Sequence, residues 1–148
     1  MSPAVAVDAN VALKWVLPFD EEPHANKAVG LMEVALRSND TVFVAPHFHA
    51  EVLNVLYRRA VGKGEAAEEE AHRALGVMLT FPLIAFASGD LYPRALAIAQ
   101  AHQLPSAYDA LYVAVAESAG CDLWTDDRGL LRALDGRLPY VRWIGDWA

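Results

Sequence analysis

The chain has 148 residues, 55% of them hydrophobic, a formal net charge of −7 and a pI of about 5.1. That length fits one domain, residues 1–148, with a full core, and the apolar content excludes a disordered chain. The acidity excludes a protein that coats nucleic acid through a generally basic surface, but not an enzyme acting on nucleic acid at an acidic, metal-filled site.

The first stretch, Ala4–Asn10 (AVAVDAN), predicts a strand buried on both faces that stops at Asp8. A helix follows over about Val11–Leu17, closed by Pro18. Glu21, Glu22 and Pro23 read as the acidic first turn of a second helix running to about Arg37. Ser38-Asn39-Asp40 is a turn before a second strand, Thr41–Ala45. Pro46 opens a third helix ending near Gly62, and an Ala- and Glu-rich fourth helix spans Glu65 to about Met78. A third strand, Leu83–Ala87, leads through Ser88-Gly89-Asp90 to a helix over Leu91–His102. Leu104-Pro105 breaks it, and Ser106 starts a sixth helix that Gly120 ends. A fourth strand, Asp122–Thr125, a short helix to about Leu134 and a fifth strand, Tyr140–Ile144, complete the chain. No repeat or linker interrupts this alternation, which implies a parallel sheet covered by helices on both faces.

Cys121 is the single cysteine. It excludes an internal disulfide or a cysteine zinc cluster, reads as a small buried hydrophobe, and fits a reducing, cytoplasmic location. No apolar run reaches membrane-spanning length, and the N-terminal run has no basic flank, so neither a membrane anchor nor a signal peptide is expected.

In such a sheet every strand ends at the same edge, where ligands gather. By this reading that edge collects four acids: Asp8 after the first strand, Glu51 early in the helix after the second, Asp127 after the fourth, and Asp109 in the first turn of the Ser106 helix. Each has a structural explanation when taken alone. Asp8 or Asp127 could cap a helix, Ser106-Ala107-Tyr108-Asp109 matches a capping box, and Glu51 shares a polar stripe with His47, Asn54 and Arg58. Gathered together, they repel one another and call for a cation, and hard oxygen donors suit Mg²⁺ or Mn²⁺. The five histidines form no His-x-x-x-His pair, and no serine-hydrolase or phosphate-loop motif is present. Two basic groups, Arg58/Arg59/Lys63 and Arg128/Arg132/Arg137, are candidate contacts for a nucleic acid or simply solvated helix faces.

Four segments carry a family resemblance: Val7-Asp8-Ala9-Asn10, His49-Ala50-Glu51-Val52, Ser106 through Tyr112 (SAYDALY), and Leu123 through Asp127 (LWTDD). In order and spacing the chain resembles the PIN-domain ribonucleases, and among them the VapC-type toxins of VapBC toxin–antitoxin pairs. The resemblance implies a three-layer α/β/α fold with a parallel sheet of about five strands, and cleavage of RNA phosphodiester bonds with Mg²⁺ or Mn²⁺. It assigns metal binding and catalysis to Asp8, Glu51, Asp109 and Asp127, and supporting polar roles to Asn10, Ser106 and Thr125. It also implies a homodimer and a cognate VapB-type antitoxin.

Two other classes compete. A haloacid-dehalogenase-type phosphohydrolase also places Asp after its first strand, but has a second Asp where this chain has Asn10. A non-catalytic, receiver-like module would need an acceptor Asp at the end of the third strand, where the chain instead reads Ser88-Gly89-Asp90. Between the adjacent acids after the fourth strand, side-chain alternation favours Asp127 for the pocket, leaving Asp126 to face solvent or to cap the helix at Arg128.

Overall fold

The structure, a computed structural model, describes residues 3–148. Its centre is a five-stranded parallel sheet: β1 (Ala4–Val7), β2 (Thr41–Val44), β3 (Leu83–Ala85), β4 (Leu123–Thr125) and β5 (Val141–Trp143), in the order β3-β2-β1-β4-β5. Register runs Ala6 opposite Phe43 on one side of β1 and Ala6 opposite Leu123 on the other. The chain builds outward from β1 in both directions, so the strand order reverses between β1 and β4. A crevice opens at that point in doubly wound sheets, outside the carboxyl ends of the two strands.

Among the described residues seven α-helices complete the α/β/α layers: α1 (Ala9–Ala12), α2 (Ala25–Arg37), α3 (Phe48–Ala60), α4 (Glu65–Met78), α5 (Leu91–His102), α6 (Ala107–Ala119) and α7 (Arg128–Leu134). The most completely buried is α6, whose residues Ala110 through Ala116 are all buried. It is apolar around most of its circumference, as a helix sandwiched between sheet and neighbours must be. Gly120 closes it at φ +68°, a left-handed conformation that costs glycine least. Val7, Val11, Val44, Phe48, Val52, Leu123, Leu130 and Ile144 join it in one continuous core.

Several boundaries differ from the sequence reading by a residue or more, and three of them lie at a proline or an edge. The first helix begins at Ala9 and tightens into a 3-10 turn over Leu13–Trp15 rather than running to Leu17. Pro18 disfavours helical geometry in the residue before it, which shortens the last turn. The second helix starts at Ala25, not in the Glu21–Pro23 acidic turn, because Pro23 holds Glu22 extended at φ −107°, ψ 118°. The third strand stops at Ala85: it is an edge strand beside β2, and a single further backbone bond, from Phe86 N–H to the Val44 carbonyl at 2.9 Å, follows it. Among the described residues no helix is long and apolar enough to cross a membrane.

Candidate active site at the carboxyl edge of the sheet

Asp8 leaves the end of β1 with 3% of its surface exposed. It is the N-cap residue of α1 by position, yet its side chain caps nothing. Its Oδ2 instead accepts a hydrogen bond from Thr125 Oγ1 at 2.9 Å, across the β1–β4 switch point. Thr125 is wholly buried, and its Oγ1 also accepts the Asp127 N–H at 3.0 Å. The single hydroxyl therefore orients one acid and ties down the backbone of another. Asn10 has a comparable task, its Oδ1 accepting the Asp126 N–H at 3.0 Å.

Glu51 reaches the crevice from the first turn of α3. Its Oε1 accepts the Tyr112 hydroxyl at 2.7 Å and lies 3.5 Å from His47 Nε2. Asp109 comes from the first turn of α6, which Ser106 caps by accepting the Tyr108 N–H at 3.0 Å. Ser106 thus acts as a simple N-cap on the second helical residue, and among the described residues neither bond of the expected capping box with Asp109 forms.

These carboxylates act on one another. Burial first, then Glu51, Asp109 and Asp127, push Asp8 up from 3.8 to about 7, against the opposing hydrogen bond from Thr125. Burial, Asp127 and Glu51 raise Asp109 to about 6. Burial and the Asp8 and Glu51 charges also raise Tyr112, keeping its hydroxyl a donor. No lysine or arginine among the described residues forms an ion pair with Asp8, Glu51, Asp109 or Asp127. The cluster thus concentrates negative charge, with no lysine or arginine among the described residues paired to it.

The adjacent acids divide their work differently from the sequence expectation. Asp127, not Asp126, caps α7, its Oδ1 accepting the Leu130 N–H at 3.0 Å. Nor is Asp126 left to solvent: Oδ1 accepts the Trp143 indole N–H at 2.9 Å and Oδ2 pairs with Lys14 Nζ at 3.0 Å. The turn after β4 brings Asp126 towards β5 and Lys14, while Asp127 stays within electrostatic reach of Asp8 and Asp109. The cap separates two substitutions of Asp127. Asp127→Asn keeps an acceptor and is expected to leave stability within about 0.5 kcal/mol, whereas Asp127→Ala should lose about 1 kcal/mol. Thermal melts measure this.

Lys14, Tyr112 and Trp143 have site-shaping contacts that sequence reasoning missed. Their signals were faint: Lys14 is a lone charge inside an apolar run, and Tyr112 lies three residues after Asp109 on one helix face. Nothing in the pattern marked Trp143.

The donor set fits a hard divalent cation: carboxylate oxygens, uncompensated, around a buried acid whose proton an ion would displace. Among the described residues no three such side chains already converge on one point. An ion such as Mg²⁺, which keeps most of its waters and takes one or two carboxylates, does not require that they should.

Fold and site together define a class: a parallel α/β domain with an unbalanced acidic pocket at the switch point of its sheet. The PIN domain family model matches residues 5–136, and the chain belongs to that family of nucleases. The solved structure of VapBC2 from Rickettsia felis bound to a DNA fragment from their promoter contains a similar chain, with a TM-score of 0.62 and 15% identity, covering 95% of this chain and 96% of that one. No curated protein matches the chain significantly.

Proposed function

We propose that this protein is a divalent-metal-dependent endoribonuclease, the toxin of a type II toxin–antitoxin pair, using Asp8, Glu51, Asp109 and Asp127. One observation carries the reading: a 3%-exposed carboxylate at the switch point is driven to about pKa 7 by burial and three further acids. A folded protein keeps such a repulsive cluster where a bound cation offsets it.

Mg²⁺ or Mn²⁺, when bound, supplies charge stabilisation for the scissile phosphate and acidifies a water. The chain's own groups do the rest. Asp8, Glu51, Asp109 and Asp127 would hold the ion, directly or through its waters. Thr125 fixes the Asp8 carboxylate and the Asp127 backbone, so neither must reorganise when substrate arrives. Tyr112 donates to one oxygen of Glu51, leaving the other to face the pocket or a water. The haloacid-dehalogenase alternative loses its remaining support here, because Asn10 is committed to the Asp126 backbone.

The toxin reading draws support from the similar chain in the VapBC2 structure. An arginine of a VapB-type antitoxin could pair with these carboxylates in a bidentate geometry and so block the pocket. Val11 and Leu13 are core, whereas Leu53 and Tyr57 form an exposed stripe on α3 that continues to Val61 at its C-cap. We assign that stripe to a homodimer in the cytoplasm, which sedimentation at micromolar concentration tests.

The activity is tested with single-stranded RNA and a phosphomonoester, each with Mg²⁺, Mn²⁺ or EDTA. Cleavage of RNA alone, abolished by EDTA, is the expected result. Phosphomonoester hydrolysis without RNA cleavage would overturn the reading.

A further inference from the structure

Trp143 lies on β5, in register with Thr125 of β4, and its ring is held from several directions. Its N–H donates to Asp126 Oδ1 at 2.9 Å, and the other Asp126 oxygen pairs with Lys14 at 3.0 Å. Lys14 is itself 4% exposed and donates to the Pro23 carbonyl at 2.6 Å. The His24 ring meets the indole edge-on at 5.1 Å. A Cβ on Gly145 would collide with the six-membered part of the indole, so only glycine lets the ring lie where it does.

The Arg128 guanidinium sits over this ring, 4.3 Å from its centroid. Arg128 directly follows Asp127 and is exposed. Among the described residues no carboxylate pairs with it. By contrast, Arg59, Arg94 and Arg142 of the same chain are bonded to acids. Stacking uses the face of a guanidinium and leaves its N–H edge free, and that edge matches phosphate oxygens two at a time. A chain of net charge −7 repels a polyanion unless local cations meet it.

The geometry points to Arg128, seated on the Trp143 ring, as the residue that binds a backbone phosphate of the RNA strand beside the acids; this rests on the ribonuclease reading above. Trp143, Asp126 and Lys14 hold the seat and are positioning residues.

The test is fluorescence anisotropy with a labelled single-stranded RNA and Mg²⁺, in an Asp8→Asn background that leaves the strand intact. Arg128→Gln should weaken binding roughly tenfold and reduce the slope of log affinity against log salt by about 0.7, the loss of one phosphate contact. Melting temperature should not move, nor should the Mn²⁺ affinity of Arg128→Gln made in the otherwise wild-type chain. Arg128→Lys should keep the salt slope without regaining full affinity, since a lysine neither stacks nor forks in the same way. Equal RNA affinity and slope for Arg128→Gln and its parent would overturn the proposal and leave the ribonuclease reading standing. Full affinity in Arg128→Lys would overturn the stacked seat. Absence of RNA binding by both the Asp8→Asn parent and the wild-type chain would overturn both readings.

Discussion

Asp8→Asn is expected to abolish RNA cleavage and, in metal-free buffer, to raise the melting temperature by several degrees. The loss of activity follows from removing the buried carboxylate whose charge Glu51, Asp109 and Asp127 all oppose. The gain in stability follows from the repulsion that Asp8 carries. In the folded chain its pKa is raised from 3.8 to about 7, so the folded state binds the extra proton more tightly than the unfolded state does. Stability from this group is fully present below about pH 4 and is lost as pH rises towards 7. Each pKa unit is worth about 1.4 kcal/mol, so the loss approaches roughly 4 kcal/mol at its upper bound. Asparagine carries no charge, and its Oδ1 can still accept the Thr125 hydroxyl. The advantage of Asp8→Asn over wild type should therefore grow from about pH 4 to about pH 7 and level off above. Melts of the two proteins in EDTA across that range measure it, and the difference cancels the opposite contribution of His47, whose pKa burial lowers. A difference that is flat with pH would show that Asp8 is not under strain.

Lys14→Met should cost about 3 kcal/mol, a large effect for a residue outside the pocket. Lys14 is buried, and its ammonium pairs with Asp126 at 3.0 Å, more distantly with Glu22 at 3.8 Å, and donates to Pro23. Removing one member of such a pair leaves the other desolvated and unpaired. Asp126→Asn should cost about 2 kcal/mol for the same reason, which revises the near-silent effect that a solvent-facing Asp126 would give. The double variant Lys14→Met/Asp126→Asn should recover part of the loss, because neither uncompensated charge remains. Denaturant unfolding of the three proteins gives the coupling. Losses that merely add would show that the pair contributes nothing as a pair.

The sheet was legible because each strand is short, apolar and bounded by a turn residue or a helix start. Pattern alone also placed Asp8, Glu51 and Asp127 on the correct edge. Asp109 was harder, since α6 follows a helix rather than a strand, and packing against α5 and the central strands β1, β2 and β4 brings its first turn to the crevice. The roles of Asp126, Lys14 and Trp143 were not legible. They depend on which way one turn swings after β4 and on β5 lying beside it, and neither is encoded in local periodicity. The same limit explains Tyr112. The sequence marks it as a core position on α6, but its hydroxyl meets Glu51 only because α3 and α6 meet at that edge.

The central claim is that the four acids hold a divalent ion, and Mn²⁺ titration calorimetry of wild-type protein near pH 7 tests it most directly. Asp8 with a pKa of about 7 is half protonated there, so Mn²⁺ should bind with release of a substantial fraction of a proton, seen as a dependence of heat on buffer ionisation enthalpy. Near pH 9 that release should vanish, and in Asp8→Asn the affinity should fall sharply. No Mn²⁺ binding by the wild type, or binding that Asp8→Asn leaves unchanged, would contradict the claim.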